Sequence, residues 1–201
     1  MRLIPLLLAS AAALACAAPA SAHETSFLAL LSGPAESPAN ASPGTGSVRI
    51  TIDDDDFTMH VQASFSGLVG TTSASHIHCC TAVPGAGTAG VATMVPTFID
   101  FPLGVTSGNY DHLFDMTQAS SWNAAFITSH GGTTGSAFSA LLGGLTSGSA
   151  YYNIHTSVYT GGEIRGFLAA EVPEPSSYAL MLAGLALAVG VTRRRGLLTR
   201  P

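Results

Sequence analysis

Lysine is missing between residues 23 and 171, and Arg49 and Arg165 are the only basic side chains there, against eleven acidic ones. A surface with that balance repels phosphate backbones, which argues against nucleic acid as a partner. It suits cations or plain solubility. Long charged side chains are scarce, while glycine, serine, threonine and alanine are abundant, a composition that fits short strands joined by many turns outside the cell. The chain has no convincing nucleophile elbow, no paired catalytic carboxylates and no phosphate loop, so a hydrolase is not expected. No internal repeat is long enough to suggest a solenoid. Cysteine occurs only at Cys16, Cys79 and Cys80.

The two ends read as addresses rather than as parts of a fold. Arg2 gives a positive start, residues 3–18 an apolar stretch broken only by Pro5 and Ser10, and Ala20-Ser21-Ala22 a small-residue exit. This pattern predicts a signal peptide over residues 1–22 and a mature chain from His23. Cys16 leaves with it, since Ala13-Leu14-Ala15 matches a lipobox poorly. Residues 23–171 suffice for one domain with a sizeable core. Beyond them, Val172-Pro173-Glu174-Pro175 forms an extended linker. An uncharged apolar stretch follows and predicts a transmembrane helix over about residues 178–192, ending at Arg193, Arg194 and Arg195. A helix of about 14–17 residues spans roughly 21–26 Å, short of a bilayer core of about 30 Å. Snorkelling arginines and local thinning make up the difference. The arginines stay cytoplasmic and the domain faces outward.

Pro173-Glu174-Pro175, the apolar stretch and the Arg193–Arg195 cluster together resemble the PEP-CTERM sorting signal. The resemblance implies an exported protein, held in the membrane and then processed near the motif by an exosortase. Export machinery and an exopolysaccharide-rich envelope are the implied partners. An ordinary tail anchor, left uncleaved, is the competing reading.

Within the domain, residues 27–32, 47–52, 73–78 and 91–95 read as strands, and the acidic run Asp53 to Asp56 as a turn. Residues 57–65 alternate cleanly, with Phe57, Met59, Val61, Ala63 and Phe65 on one face. Residues 119–128 and 136–142 have helical spacing. A hairpin over residues 150–169 turns around Thr160-Gly161-Gly162. Many short strands with two short helices predict an all-β sandwich or barrel.

Three segments stand out in order: Ala74-Ser75-His76-Ile77-His78, then Ala150-Tyr151-Tyr152-Asn153-Ile154-His155-Thr156, then Gly161-Gly162-Glu163-Ile164-Arg165-Gly166-Phe167-Leu168. Together they resemble the CHRD domain, over roughly residues 25–170. The resemblance implies an immunoglobulin-like β-barrel remotely similar to copper/zinc superoxide dismutase. It marks Asn153, Glu163, Arg165 and Gly166 as motif residues and supplies no reaction.

His76 and His78 stand two apart on a strand, so their imidazoles point to one side. His155 lies on another strand that the fold can bring near, and Cys79 and Cys80 follow His78 directly. These five are the candidate ligands, and their donor set suits copper or zinc. The histidine-X-histidine spacing resembles a ligand pair of copper/zinc superoxide dismutase. With no equivalents of the bridging histidine and zinc aspartate, dismutase activity is not expected. The alternative is structural: the histidines hydrogen-bond within the barrel, with Glu163 and Arg165 joining the network. Outside the cytoplasm Cys79 and Cys80 are expected to be oxidised, as a vicinal disulfide or an intermolecular bridge. Asp53 to Asp56 lacks the spacing and glycine of a calcium loop. His60, His112 and His130 read as surface residues, and Trp122 as a core anchor. Two functions remain open: a non-enzymatic surface or matrix protein, and an extracellular copper- or zinc-binding protein.

The sorting signal predicts that the exported form lacks Arg193 to Arg195. Mass spectrometry of its C-terminus checks this, and an intact arginine cluster on the secreted product would leave only the tail anchor.

Overall fold

A computed structural model describes residues 24–171 and Gly184. The expected signal peptide, the proline-rich linker and, Gly184 apart, the expected transmembrane helix lie outside the described residues. Among the described residues no helix is long and apolar enough to cross a membrane.

The domain is mostly β. Strands β1 (Glu24–Ser32), β2 (Thr45–Asp53), β3 (Thr58–Ser66), β4 (Thr72–His78) and β5 (Gly108–Asp115) come first. Helices α1 (Ala124–Ser129) and α2 (Thr134–Thr146) follow, then β6 (Tyr151–Thr156), β7 (Ile164–Phe167) and β8 (Ala169–Ala170). One antiparallel sheet runs in the order β4-β6-β7-β1-β2-β3-β5, with β8 also on β1. It curls into a half-barrel. Of the expected sandwich or barrel, the structure is nearer the barrel: a single curled sheet with two short helices. In place of a second sheet, α1 and α2 contribute Phe126, Phe138, Leu141 and Leu145 to the same core.

Alternation builds the inner face. Phe27 stands opposite Ile50 and Ile50 opposite Val61. In the next row Ala29 faces Val48, Val48 faces Ala63 and Ala63 faces Tyr110. Apolar side chains two residues apart thus form continuous rows across the strands. On β4, β6 and β7 the inner face is Ile77, Tyr152, Ile154 and Ile164, all fully buried. The long β4–β5 connection inserts Phe98, also fully buried, against Tyr110, Phe114 and Tyr152 with ring centroids 5.9, 5.1 and 6.1 Å away. Trp122 is a core anchor, its indole N–H donating to Met116 O at 2.9 Å.

Local chemistry sets the helix ends. The Asn123 side chain accepts from the Ala125 N–H at the start of α1. Thr133 and Ser136 form a reciprocal capping box at the start of α2. The Asp53 carboxylate accepts from the amides of Asp55 and Asp56, both at 3.0 Å, closing the acidic β2–β3 turn as expected.

Three expectations change. Phe57 leaves the alternating row: it adopts φ 52° in the turn and packs on Phe138 at 5.1 Å. Residues 91–95 are not a strand. Val91 and Thr93 make only isolated bridges, and the Thr93 hydroxyl takes the Ile77 N–H that a neighbouring strand would have bonded. The helical stretch at 119–128 divides into a 3-10 turn at Ala119–Ser121 and α1. Strand β5 is a further element whose Tyr110 and Phe114 alternate inward.

Cys79 and Cys80 are joined in a vicinal disulfide. Gly144 of α2 sits against both sulfurs, so close that a Cβ there would overlap them. Gly144→Ala is therefore expected to destabilise the domain by about 2 kcal/mol, the usual scale of overpacking. In a Cys79→Ala/Cys80→Ala background the same substitution should cost little. Urea unfolding of the four proteins measures the coupling, and an equal cost in both backgrounds would show that the sulfurs are not what Gly144 avoids.

Candidate metal-binding site

Cross-strand register assembles the site. His76 stands opposite Asn153, His78 opposite Tyr151 and Ala74 opposite His155. Residues directly opposite across an antiparallel pair share a face, and β7 adds Arg165 opposite Asn153 and Phe167 opposite Tyr151. The two histidines of β4 and the one of β6 therefore project together from the sheet face turned away from the core. The β4–β5 connection and the β6–β7 turn fold over that face.

The three rings converge. Centroids lie 5.3 Å apart for His76 and His155, 5.9 Å for His76 and His78, and 6.1 Å for His78 and His155. One ring nitrogen from each falls within 4.8 Å of the others. His76 and His78 are buried and His155 partly so.

Each ring uses its other nitrogen to bond a backbone carbonyl. His76 Nε2 donates to Pro96 O at 2.6 Å, His78 Nδ1 to Ala89 O at 2.9 Å and His155 Nδ1 to Thr160 O at 2.9 Å. A carbonyl only accepts, so these bonds fix the tautomers. The lone pairs then reside on His76 Nδ1, His78 Nε2 and His155 Nε2. Those three nitrogens are buried and have no hydrogen-bond partner. An orphaned buried polar atom costs about 1–3 kcal/mol, and here three occur in one cluster. An imidazole that gives one nitrogen to a backbone carbonyl and keeps the other free is the arrangement of a metal ligand.

Electrostatics keeps the rings neutral. Burial is the main cause that lowers His76 and His78 from 6.5 to about 4, outweighing the carbonyl bonds that favour the charged form. Repulsion from His155 adds to both shifts, and His76 and Arg165 add to that of His78. His155 is lowered too, chiefly by burial.

Arg165 and Tyr151 wall one side. Tyr151 stacks on His78 with centroids 4.7 Å apart and planes 5° from parallel. The Arg165 guanidinium lies 4.7 Å over Tyr151. It donates to Ala35 O at 2.5 Å and Gly87 O at 3.1 Å, with the Glu36 carboxylate 3.8 Å away. Burial raises Glu36 to about 7 against the opposing pull of Arg165. Asn153 is buried between His76 and Arg165 in the register, its Oδ1 without a partner.

Glu163 does not join the histidines, contrary to the network expected from strand alternation. Its fully buried carboxylate accepts from Ser42 Oγ at 2.6 Å, Thr156 Oγ1 at 2.6 Å, and the amides of Val69 at 2.5 Å and Gly70 at 3.1 Å. Burial pushes its pKa up, but these four donors outweigh it and hold it below the ordinary value. Glu163 thus clips two loops to the β6–β7 hairpin. Gly166 lets β7 approach β1, since a Cβ there would collide with Leu30 O.

Cys79 and Cys80 are not ligands in this structure, a correction to the five-residue set: bonded to each other, they offer no thiolate. His60 instead meets Asp111 at 2.7 Å, and the rings of His112 and His130 pack at a tilt against Phe114 and Phe126. The clefts lined by Leu28, Arg49, Gln62 and Asp111, and by Leu30, Ser47 and Asn109, lie on β1, β2, β3 and β5 and touch none of the three histidines. Glu36 had no sequence signal: it sits in the loop before β2, far in the chain from Arg165.

The CHRD domain model matches residues 27–168. The chain belongs to the CHRD domain family. The three histidines and Arg165 therefore lie within the matched CHRD region. The PEP-CTERM protein-sorting motif matches residues 171–195, covering Pro173, Glu174, Pro175 and Arg193 to Arg195. That motif directs the protein to exosortase-type sorting machinery and to the cell envelope or surface. No curated protein and no solved structure matches the chain.

The neutral histidines give a prediction for the metal-free domain. The unfolded chain binds protons at imidazoles near 6.5 that the fold refuses until about 4. Stability is thus full above pH 6.5 and falls as the pH drops toward 4. Glu36 works in the opposite sense between 4.5 and about 7, one group against two. Urea midpoints in the presence of a chelator should rise from pH 4 to 6.5, with a shallower rise in His78→Gln. A flat or falling profile would contradict the buried neutral imidazoles.

Proposed function

We propose that this protein is an exported envelope or matrix component, without enzymatic activity of its own, whose CHRD domain holds one copper or zinc ion on His76, His78 and His155. The observation that carries the reading is the set of three buried nitrogens, one per ring, left unpartnered by carbonyl bonds that fix every tautomer. In the structural alternative both nitrogens of each ring would be satisfied. Nitrogens that share a tetrahedral ion at about 2.0–2.1 Å stand roughly 3.4 Å apart. Loading therefore draws the rings together by at most about 1.5 Å.

The sorting signal supports the cellular side of the proposal. After exosortase processing the domain resides at the surface or in the extracellular matrix, with exopolysaccharide or other envelope components around it. Its acidic balance suits a cation-rich surface of that kind.

Copper or zinc at about a hundred times its dissociation constant stabilises the fold by about 2.7 kcal/mol. That raises the melting temperature of the purified domain by roughly 5–10 °C. His155→Ala should abolish the shift. If neither metal moves the melting temperature and none is retained on purification, the proposal is wrong.

A further inference from the structure

We infer, resting on the metal reading above, that the site is built for copper in its monovalent state. Two observations beyond the three ligands point there. First, the donor set carries no negative charge. Among the described residues no aspartate, glutamate or thiolate joins the three histidines, and both neighbouring sulfurs are tied in a disulfide. A divalent ion would keep its full charge in a buried pocket, where an uncompensated charge is costly.

Second, the wall of the pocket is cationic. Arg165 lies 4.7 Å over Tyr151, and Tyr151 lies 4.7 Å from the His78 ring. The guanidinium is therefore no more than about 9.4 Å from that imidazole. At an effective dielectric constant of about 20, a unit charge at such a distance disfavours each added positive charge on the metal by roughly twentyfold. The Glu36 carboxylate, 3.8 Å from Arg165, offsets part of this. Coordination number agrees. Three imidazoles complete the shell of monovalent copper, whereas zinc on three imidazoles must bring a water as its fourth ligand, since no fourth His, Cys, Asp or Glu joins the described cluster. Arg165 is a positioning residue here: it never touches the metal and acts through its field.

The test is paired affinity measurement on the purified domain at pH 8. Cu(I) is buffered by bicinchoninate with ascorbate under anaerobic conditions, and Cu(II) and Zn(II) by nitrilotriacetate. The wild-type domain should bind Cu(I) more tightly than either divalent ion. Arg165→Met should shrink the Cu(I)-over-Cu(II) preference by about tenfold, and Arg165→Lys should keep most of it. Should Arg165→Met fail to fold, Glu36→Gln carries the test. Removing that counter-charge without changing shape should widen the preference severalfold. Binding of Cu(II) or Zn(II) as tightly as Cu(I), or a preference that Glu36→Gln leaves unchanged, would overturn the monovalent assignment alone. Failure of all three ions to bind would overturn the metal reading itself.

Discussion

The pairing of β4 with β6 in a single register is the constraint on which the site depends. Because opposed residues share a face, that one ladder places His76 and His78 beside His155 and leaves Ile77, Tyr152 and Ile154 for the core. A slip of one residue would exchange the two sets, burying imidazoles among apolar side chains and exposing the core row. The energetic penalty of that exchange holds the register. The hydrophobic face of the sheet thus positions the polar one.

The Glu163 carboxylate reinforces the arrangement from the end of the hairpin. A buried charge is tolerated only when fully bonded, and here two hydroxyls and two amides surround it. Those donors come from Ser42 before β2, from Val69 and Gly70 before β4, and from Thr156 on β6. The same carboxylate therefore ties together the edges of the elements that carry the histidines. The Gly162-to-Gly166 motif reads as one device: a buried anion, a core isoleucine, a buried cation and a glycine that admits β1. At the domain's other end, Arg49 bonds Glu171 while the Glu171 amide donates to Ser26 O at 2.7 Å. The chain thus leaves the sheet beside β1 and β2, where the sorting motif begins.

Much of this was legible in the residues. The last hairpin was marked by its turn and β1 and β4 read as short strand-like runs, while alternation marked β2 and β3, because a half-buried strand has period two. It overreached at Phe57, where a turn with positive φ interrupts the row. It missed β5, whose polar Asn109, Asp111 and His112 mask Tyr110 and Phe114. Residues 91–95 looked like a strand because they are apolar and β-branched, yet they serve as a cover, with a threonine hydroxyl in place of a ladder bond. Of the site, the His-Ile-His spacing gave the pair and the Asn-Ile-His segment gave its neighbour. The carbonyls that set the tautomers could not be read, since a backbone oxygen leaves no mark on sequence.

By itself the sequence determined the class and the address: β strands from period-two patterning, an envelope destination from the tail, and a family from three short motifs. Those features are local, carried by residues near one another in the chain. Tertiary structure alone decided which nitrogens remain free, that Glu163 serves a clip rather than the histidines, and that Glu36 faces Arg165. Each of those depends on contacts that form only when separate elements are packed together, and burial acts on a side chain only after the chain has folded around it.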